Sequence, residues 1–316
     1  MKKSLLYLTS VLLLICALIL PTPAKAAEAV DISAVCSLTL HYSKEGTAFP
    51  GLPIRIYRVA EFTSADEYQL TEAFRDYPVQ IHGITSQKEW RDLADTLIAY
   101  ATADGLQPTL AAQTDSSGTV SFTGLQTGIY LIQGVSGSND AGTCQFENYF
   151  LFLPTPQEDG QQNYQVESHP KGSFTPHPDD PDQPEKPEFT TYHVVKLWKD
   201  TGIRNLRPDS VTVDILKNGI PVQTVQLNAR NNWSYSWNAE KNFDHWTVVE
   251  KDVPDEYTVV ITAAHNTFTI TNSRPAPAGT PPKTGDIFPL LPCIMIMSFS
   301  GLLLTALGIW RRRKGA

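Results

Sequence analysis

The chain has 316 residues, 41% of them hydrophobic and 18% charged, a length that suits roughly two ordinary domains with extras. Seven of its 25 Lys/Arg and one of its 33 Asp/Glu fall before residue 27 or after Thr284, so the middle carries 18 basic against 32 acidic side chains, net −14. A polyanionic body without a basic stripe argues against nucleic acid as a partner, plentiful aromatics exclude wholesale disorder, and apolar runs confined to the two ends exclude a polytopic membrane protein.

In chain order, residues 1–26 read as a secretory signal. Lys2 and Lys3 precede the apolar run Leu5–Leu20, and Ala24-Lys25-Ala26 supplies an A-x-A cleavage site. A first body, 27–170, is β-rich, with strand candidates at Val35–Tyr42, Ile54–Val59, Thr119–Phe122, Ile129–Gln133, Tyr149–Leu153 and Tyr164–Glu167. It carries one helical insertion. Ser86 with Glu89 forms a capping box, and Trp90, Leu93, Ala94, Leu97 and Ile98 line one apolar face that is expected to pack on the sandwich. The segment 171–190 interleaves five prolines with acidic residues and reads as a semi-rigid spacer.

The second body, 191–273, reads as all-β. Short apolar runs at Tyr192–Trp198, Val211–Leu216, Val222–Leu227, Trp233–Trp237, Trp246–Glu250, Tyr257–Ile261 and Thr267–Thr271 are separated by turn signals, among them the hairpin dipeptide Asn218-Gly219. Seven short strands suggest an immunoglobulin-like sandwich. The fold class expected for the chain is therefore all-β: two immunoglobulin-like sandwiches joined by a Pro-rich linker, the first with a helical insertion. Beyond lie a spacer over 274–285 containing Pro281-Pro282-Lys283-Thr284-Gly285, an apolar stretch over 287–310 long enough to span a bilayer, and a basic tail over 311–316.

Three polar residues in the second body continue apolar period-two rows. Lys196 follows Val194, Glu250 follows Trp246 and Val248, and Asn272 follows Phe268 and Ile270. Residues two apart share a strand face, so rows facing the core would bury an ammonium, a carboxylate and an amide. Burying such charges is expensive unless they are paired or neutralised. On the residues alone, a buried ion pair beside a hydrogen-bonded Asn, or an exposed Lys196, also fits.

The order Val194-x-Lys196-x-Trp198, Arg207-Pro208-x-Ser210-Val211, Trp233-x-Tyr235, Glu250 and Thr271-Asn272 resembles the Cna B-type domain of Gram-positive surface proteins. What this resemblance implies is a spontaneous isopeptide bond between Lys196 and Asn272, with Glu250 as proton shuttle. Such a bond forms once, on the protein itself, so the chain is not expected to be a turnover enzyme, and no cofactor or metal is implied.

The pentapeptide, apolar span and basic tail together resemble the LPxTG-type cell-wall sorting signal, with Pro281 in place of the usual Leu. By that resemblance a sortase would cleave between Thr284 and Gly285, after Pro282 and Lys283, and pass Thr284 to an amine of the peptidoglycan cross-bridge or of another subunit. In the first body, Phe122-x-Gly124-Leu125-x-x-Gly128-Ile129-Tyr130 and Phe150-Leu151-x-Leu153-Pro154 resemble the N-terminal domain of sortase-assembled pilins. Tyr42 stands where that family's lysine falls, and no isopeptide bond is expected there. Tyr164-x-Val166-x-Ser168-His169-Pro170-Lys171 resembles the pilin motif, which would make Lys171 the acceptor for a neighbouring subunit.

Cys16 leaves with the signal and Cys293 lies in the apolar span, so the mature chain keeps Cys36 and Cys144 in an oxidising location, where a disulfide between them is expected. Two functions follow as expectations: a pilus subunit anchored to the Gram-positive cell wall, whose partners are sortase, peptidoglycan and other pilin subunits, or a monomeric wall-anchored adhesin that binds a host surface ligand through residues 27–170.

Overall fold

A computed structural model describes residues 28–274, apart from 45, 66, 141, 177–187, 201–206 and 241–243. The signal segment, most of the proline-rich spacer, the pentapeptide Pro281–Gly285, the apolar span and the basic tail lie outside the described residues. Among the described residues no helix is long and apolar enough to cross a membrane.

The first body contains β1 (Val35–His41), the two-residue strands β2 (Ser43–Lys44) and β3 (Thr47–Ala48), β4 (Pro53–Phe62), β5 (Tyr68–Leu70), helix α1 (Gln87–Ala103), β6 (Leu110–Gln113), β7 (Thr119–Gln126), β8 (Gly128–Ile132), β9 (Ser136–Asn139), β10 (Gly142–Phe146), β11 (Tyr149–Leu153), β12 (Thr155–Pro156), β13 (Gln162–Asn163), β14 (Gln165–Ser168) and β15 (Gly172–Pro176). One sheet runs β14-β1-β7, with β1 and β14 parallel. The other runs β11-β8-β4-β5, with β6 also on β4, and a small third sheet runs β15-β10-β9. Leu38 and Leu40 from β1, Ile54 and Ile56 from β4, Phe122 from β7 and Tyr130 and Ile132 from β8 fill the core.

β8 explains why the body is thicker than a plain sandwich. All five of its residues are buried, because Tyr130 and Ile132 face the core while Ile129 and Leu131 face helix α1. A strand covered on both faces has no polar side, and its sequence is accordingly an unbroken apolar run. Helix α1 starts as expected: the Ser86 hydroxyl accepts from the Glu89 N–H at 3.2 Å, and Glu89 accepts in return from the Ser86 N–H at 3.0 Å. Leu93, Ala94, Leu97 and Ile98 pack on Tyr57, Val59, Ile129 and Leu131.

Two expectations need correction. No disulfide joins Cys36 and Cys144; both are buried thiols. They sit on strands of different sheets: Cys36 on β1 faces Leu125 of β7, and Cys144 on β10 faces Phe174 of β15 and Gly137 of β9. A disulfide needs side chains converging from closely placed Cα atoms, and two cysteines in one core do not by themselves supply that. The head of the spacer is also folded, since Gly172–Pro176 pairs with β10 along its whole length. A Cβ on Gly172 would meet the Gln145 carbonyl oxygen at 2.6 Å and Cys144 Sγ at 3.1 Å, so only glycine allows this approach.

Among the described residues the second body has seven strands: β16 (Phe189–Lys199), β17 (Ser210–Lys217), β18 (Ile220–Asn228), β19 (Ser234–Glu240), β20 (Trp246–Lys251), β21 (Thr258–Ala264) and β22 (Thr267–Ser273). They form two facing sheets, β19-β16-β22-β21 and β18-β17-β20. Lys217 pairs with Ile220, which leaves Asn218 and Gly219 as a two-residue turn with φ of 52° and 81°. That is the primed hairpin geometry the dipeptide favours. The first and last strands, β16 and β22, lie side by side and parallel. The two bodies belong to one compact unit that ends at Arg274.

Candidate functional site

In β16 the residues Val194, Lys196 and Trp198 share a face, and Val194 and Lys196 point into the second core. In β22 the same alternation sends Phe268, Ile270 and Asn272 inward, and in β20 it sends Val248 and Glu250 inward from the opposing sheet. The register sets Lys196 beside Ile270 and Trp198 beside Asn272, so lysine and asparagine occupy neighbouring strands of one sheet while glutamate reaches across from the other. The structure thus brings together the three residues singled out by their rows. Lys196 and Glu250 have side chains with no exposed surface, and Asn272 is equally closed off.

Glu250 bridges the other two. Its Oε1 accepts from Asn272 Nδ2 at 2.8 Å, and its Oε2 lies 3.6 Å from Lys196 Nζ. The second distance exceeds a hydrogen bond, and Glu250 Oε2 has no hydrogen-bond partner among the described residues. Lys196 Nζ donates instead to the Leu197 carbonyl at 3.0 Å and sits 3.8 Å from the centre of the Trp198 ring. Asn272 Oδ1 is buried and lacks a hydrogen-bond partner among the described residues.

Both ionisable groups are pushed toward their neutral forms. Burial lowers the Lys196 ammonium to about 8, against the opposing pull of Glu250. Burial likewise raises the Glu250 carboxyl, opposed first by Lys196 and then by the Asn272 hydrogen bond. In each case desolvation outweighs the mutual attraction. An amine and a carboxyl both driven toward their neutral forms, beside an amide whose oxygen has no partner among the described residues, form a set of groups suited to acyl transfer.

A second cluster stands at the end of β16. Asp200 accepts from Arg207 Nε at 2.7 Å, from Arg207 Nη2 and from the Tyr257 hydroxyl at 2.9 Å. The Arg207 hydrogen bonds hold its carboxyl down to about 2. Arg207 in turn lies 5.4 Å from the Trp198 ring, the ring that also carries Lys196. Sequence reasoning included Trp198 and Arg207 in a motif but gave no role to Asp200 or Tyr257. The only signal available was an acidic residue just past a strand, which marks many turns.

In the first body, Tyr42 is buried, with its ring edge-on to Phe146 at 4.9 Å between centroids. Lys171 is exposed at the rim of a cleft of about 360 Å³ floored by Trp90, Phe150 and Phe152. Its backbone carbonyl is fixed by the Glu147 N–H at 2.9 Å. Thr284 and Gly285 lie outside the described residues.

Residues 192–273 match the family model of the Cna protein B-type domain. No curated protein matches the chain. Among solved structures, it is similar to a single B repeat unit of the collagen-binding surface protein Cna of Staphylococcus aureus, at 13% identity over 77% of this chain and 100% of that one, with a TM-score of 0.26. It is also similar to the shaft pilin SpaA of Lactobacillus rhamnosus GG, at 14% identity over 77% and 100% of the chains with a TM-score of 0.24. The major pilin SpaD of Corynebacterium diphtheriae is 17% identical over 78% of this chain and 65% of its own, with a TM-score of 0.27. At those TM-scores the overlaps carry no argument about the arrangement of the whole chain. The family match covers residues 192–273, the second body, and so a minority of the chain's 316 residues.

Proposed function

We propose that the chain is a pilin-like structural protein of the Gram-positive cell surface, stabilised by an isopeptide bond between Lys196 and Asn272 and joined by sortase to the wall or to other subunits. The observation that carries this reading is Glu250, buried with one oxygen on the Asn272 amide nitrogen and the other 3.6 Å from Lys196 Nζ.

The geometry supports a stepwise route. Lys196 gives a proton to Glu250 Oε2 and becomes a neutral amine. Nζ attacks Asn272 Cγ, the Glu250 carboxyl passes on that same proton to the departing Nδ2, and the Cγ–Nδ2 bond breaks. Glu250 then takes the surplus proton from the new amide nitrogen and returns it to solvent exchange, so the net change is one C–N bond formed, one broken and one ammonia released. No turnover follows, because the product stays in the chain. The bond would tie β16 to β22, the first and last strands of the domain, and close a loop containing nearly all of it. A pull applied to the two ends of the domain would then reach a covalent bond before the hydrogen-bonded ladder.

Sortase attachment through Thr284 rests on the pentapeptide, span and basic tail. Lys171 is proposed as the acceptor because it is exposed while its backbone is held by Glu147 and follows Pro170, which combines access with a fixed position. Wall extracts boiled in detergent test this. The wild type should give a ladder, Lys171→Arg should collapse it to a wall-linked monomer, and Thr284→Ala should move the protein to the membrane or medium. A ladder that survives Lys171→Arg would reject Lys171 as acceptor. Wall linkage that survives Thr284→Ala would reject the sorting signal.

A further inference from the structure

Helix α1 is buried on two sides. Leu93, Ala94, Leu97 and Ile98 face the first body, whereas Ala99 and Tyr100 are part of the second body's core. The place where they enter is the seam between β20 and β21, the edge strands of the two facing sheets. Edge strands leave N–H and C=O groups unpaired, and here the first body pairs them. The Val259 N–H donates to the Pro78 carbonyl at 2.6 Å, and the Ile261 N–H donates to the Thr96 hydroxyl at 2.8 Å. On the β20 side the Tyr100 hydroxyl donates to the backbone carbonyl of Glu250 at 3.0 Å. The Asn218-Gly219 turn closes against the end of the same helix, where a Cβ on Gly219 would collide with Thr102.

We propose that helix α1 completes and seals the Lys196–Glu250–Asn272 site, with Tyr100 as a positioning residue for Glu250, so that the second body's cross-link forms at full rate only after the first body has docked. The inference rests on the cross-link reading above and adds its dependence on the other body. Three observations carry it: the hydroxyl is bonded to the residue that moves the protons, the ring is buried in the seam beside that residue, and both edge strands are paired by first-body groups. Electrostatics agrees, since the Tyr100 hydroxyl is pushed up by burial and then by the nearby Glu250 charge. The other charged neighbours are Asp104 on the Tyr100 side and Asp200 and Arg207 on the Lys196 side.

The test follows ammonia loss in the full chain made by cell-free translation, with aliquots quenched in acid and read by intact mass at several pH values. Tyr100→Phe keeps the seal and removes the donor, so ammonia release should slow about fivefold with the wild-type pH profile. Tyr100→Ala admits water, so release should slow about tenfold or more. Its pH profile should move upward, because a hydrated Lys196 holds its proton more tightly. Wild-type rates in both variants would overturn the proposal, as would a slowed Tyr100→Ala with an unmoved pH profile, the mark of a merely structural role. If Tyr100→Ala does not fold, Tyr100→Phe decides, and a wild-type rate overturns the proposal. A wild type that never releases ammonia would instead sink the cross-link reading itself.

Discussion

The two bodies solve the same packing problem with different cores. In the first, the strand row that resembles the lysine-bearing row of the second carries Tyr42, and the core around it is apolar side chains with two buried thiols. In the second, Lys196, Glu250 and Asn272 occupy space that apolar residues could fill at lower cost. Ionisable groups in a dry core are a burden on stability as they stand, so their presence calls for a chemical return. The first body gains its stability from a helix layered on a fully covered strand, β8. Among the described residues the second has no α-helix of its own, only a 3-10 turn at Ala229–Asn231, and it borrows Ala99 and Tyr100 from its neighbour.

The largest effect expected from breaking this contrast is at Glu250. Glu250→Ala leaves Lys196 buried without its partner, which by itself costs about 3–5 kcal/mol, and it removes the proposed shuttle as well. Thermal unfolding should show the second body melting well before the first, and the full calculated mass should return. A single melting transition at the wild-type temperature would contradict the account.

Asp200 gives the next effect. Hydrogen bonds to a charged group contribute about 1.5–3 kcal/mol each to the balance when lost, so Asp200→Asn should destabilise the second body by a few kcal/mol at neutral pH. The sign of the pH dependence follows from the depressed carboxyl. The wild-type advantage is fully present above pH 3.8, the ordinary value, and is lost as pH falls through about 2. Acid titration of unfolding for the two proteins should therefore converge near pH 2. Parallel curves across that range would mean that the carboxylate is not what holds Arg207 and Tyr257.

The smallest effect is expected at the matching position of the first body. Tyr42 buries a hydroxyl with no hydrogen-bond partner among the described residues, and burial pushes that hydroxyl's pKa up. Tyr42→Phe removes an unsatisfied group and keeps the ring, so stability should change by less than about 1 kcal/mol or rise slightly. A loss of several kcal/mol in chemical denaturation would show that the hydroxyl has a role there.

Much of the second body was legible in the sequence because its strands keep strict alternation, and alternation fixes which side chains share a face. The same rule exposed Lys196, Glu250 and Asn272, since a polar residue interrupting an apolar row is visible without a structure. The Asn218-Gly219 turn was legible for a different reason: two successive left-handed residues are tolerated by few dipeptides. The second face of helix α1 was not legible. Thr96, Ala99 and Tyr100 bury against another body through hydroxyls and one small side chain, and that mixture leaves no apolar period. The strand Gly172–Pro176 was hidden by its glycine and its proline, which suggest a spacer until the partner strand β10 is known. The cysteine pairing failed because counting thiols in an oxidising compartment says nothing about which sheet each strand joins.

The central claim is tested most directly by a tryptic digest of the folded chain read by tandem mass spectrometry. The account predicts a branched peptide in which the Lys196 side chain is joined to the Asn272 side chain, lighter than its two components by one ammonia. Two linear peptides, one with a free Lys196 amine and one with an intact Asn272 amide, would contradict it and leave a buried ion pair in its place.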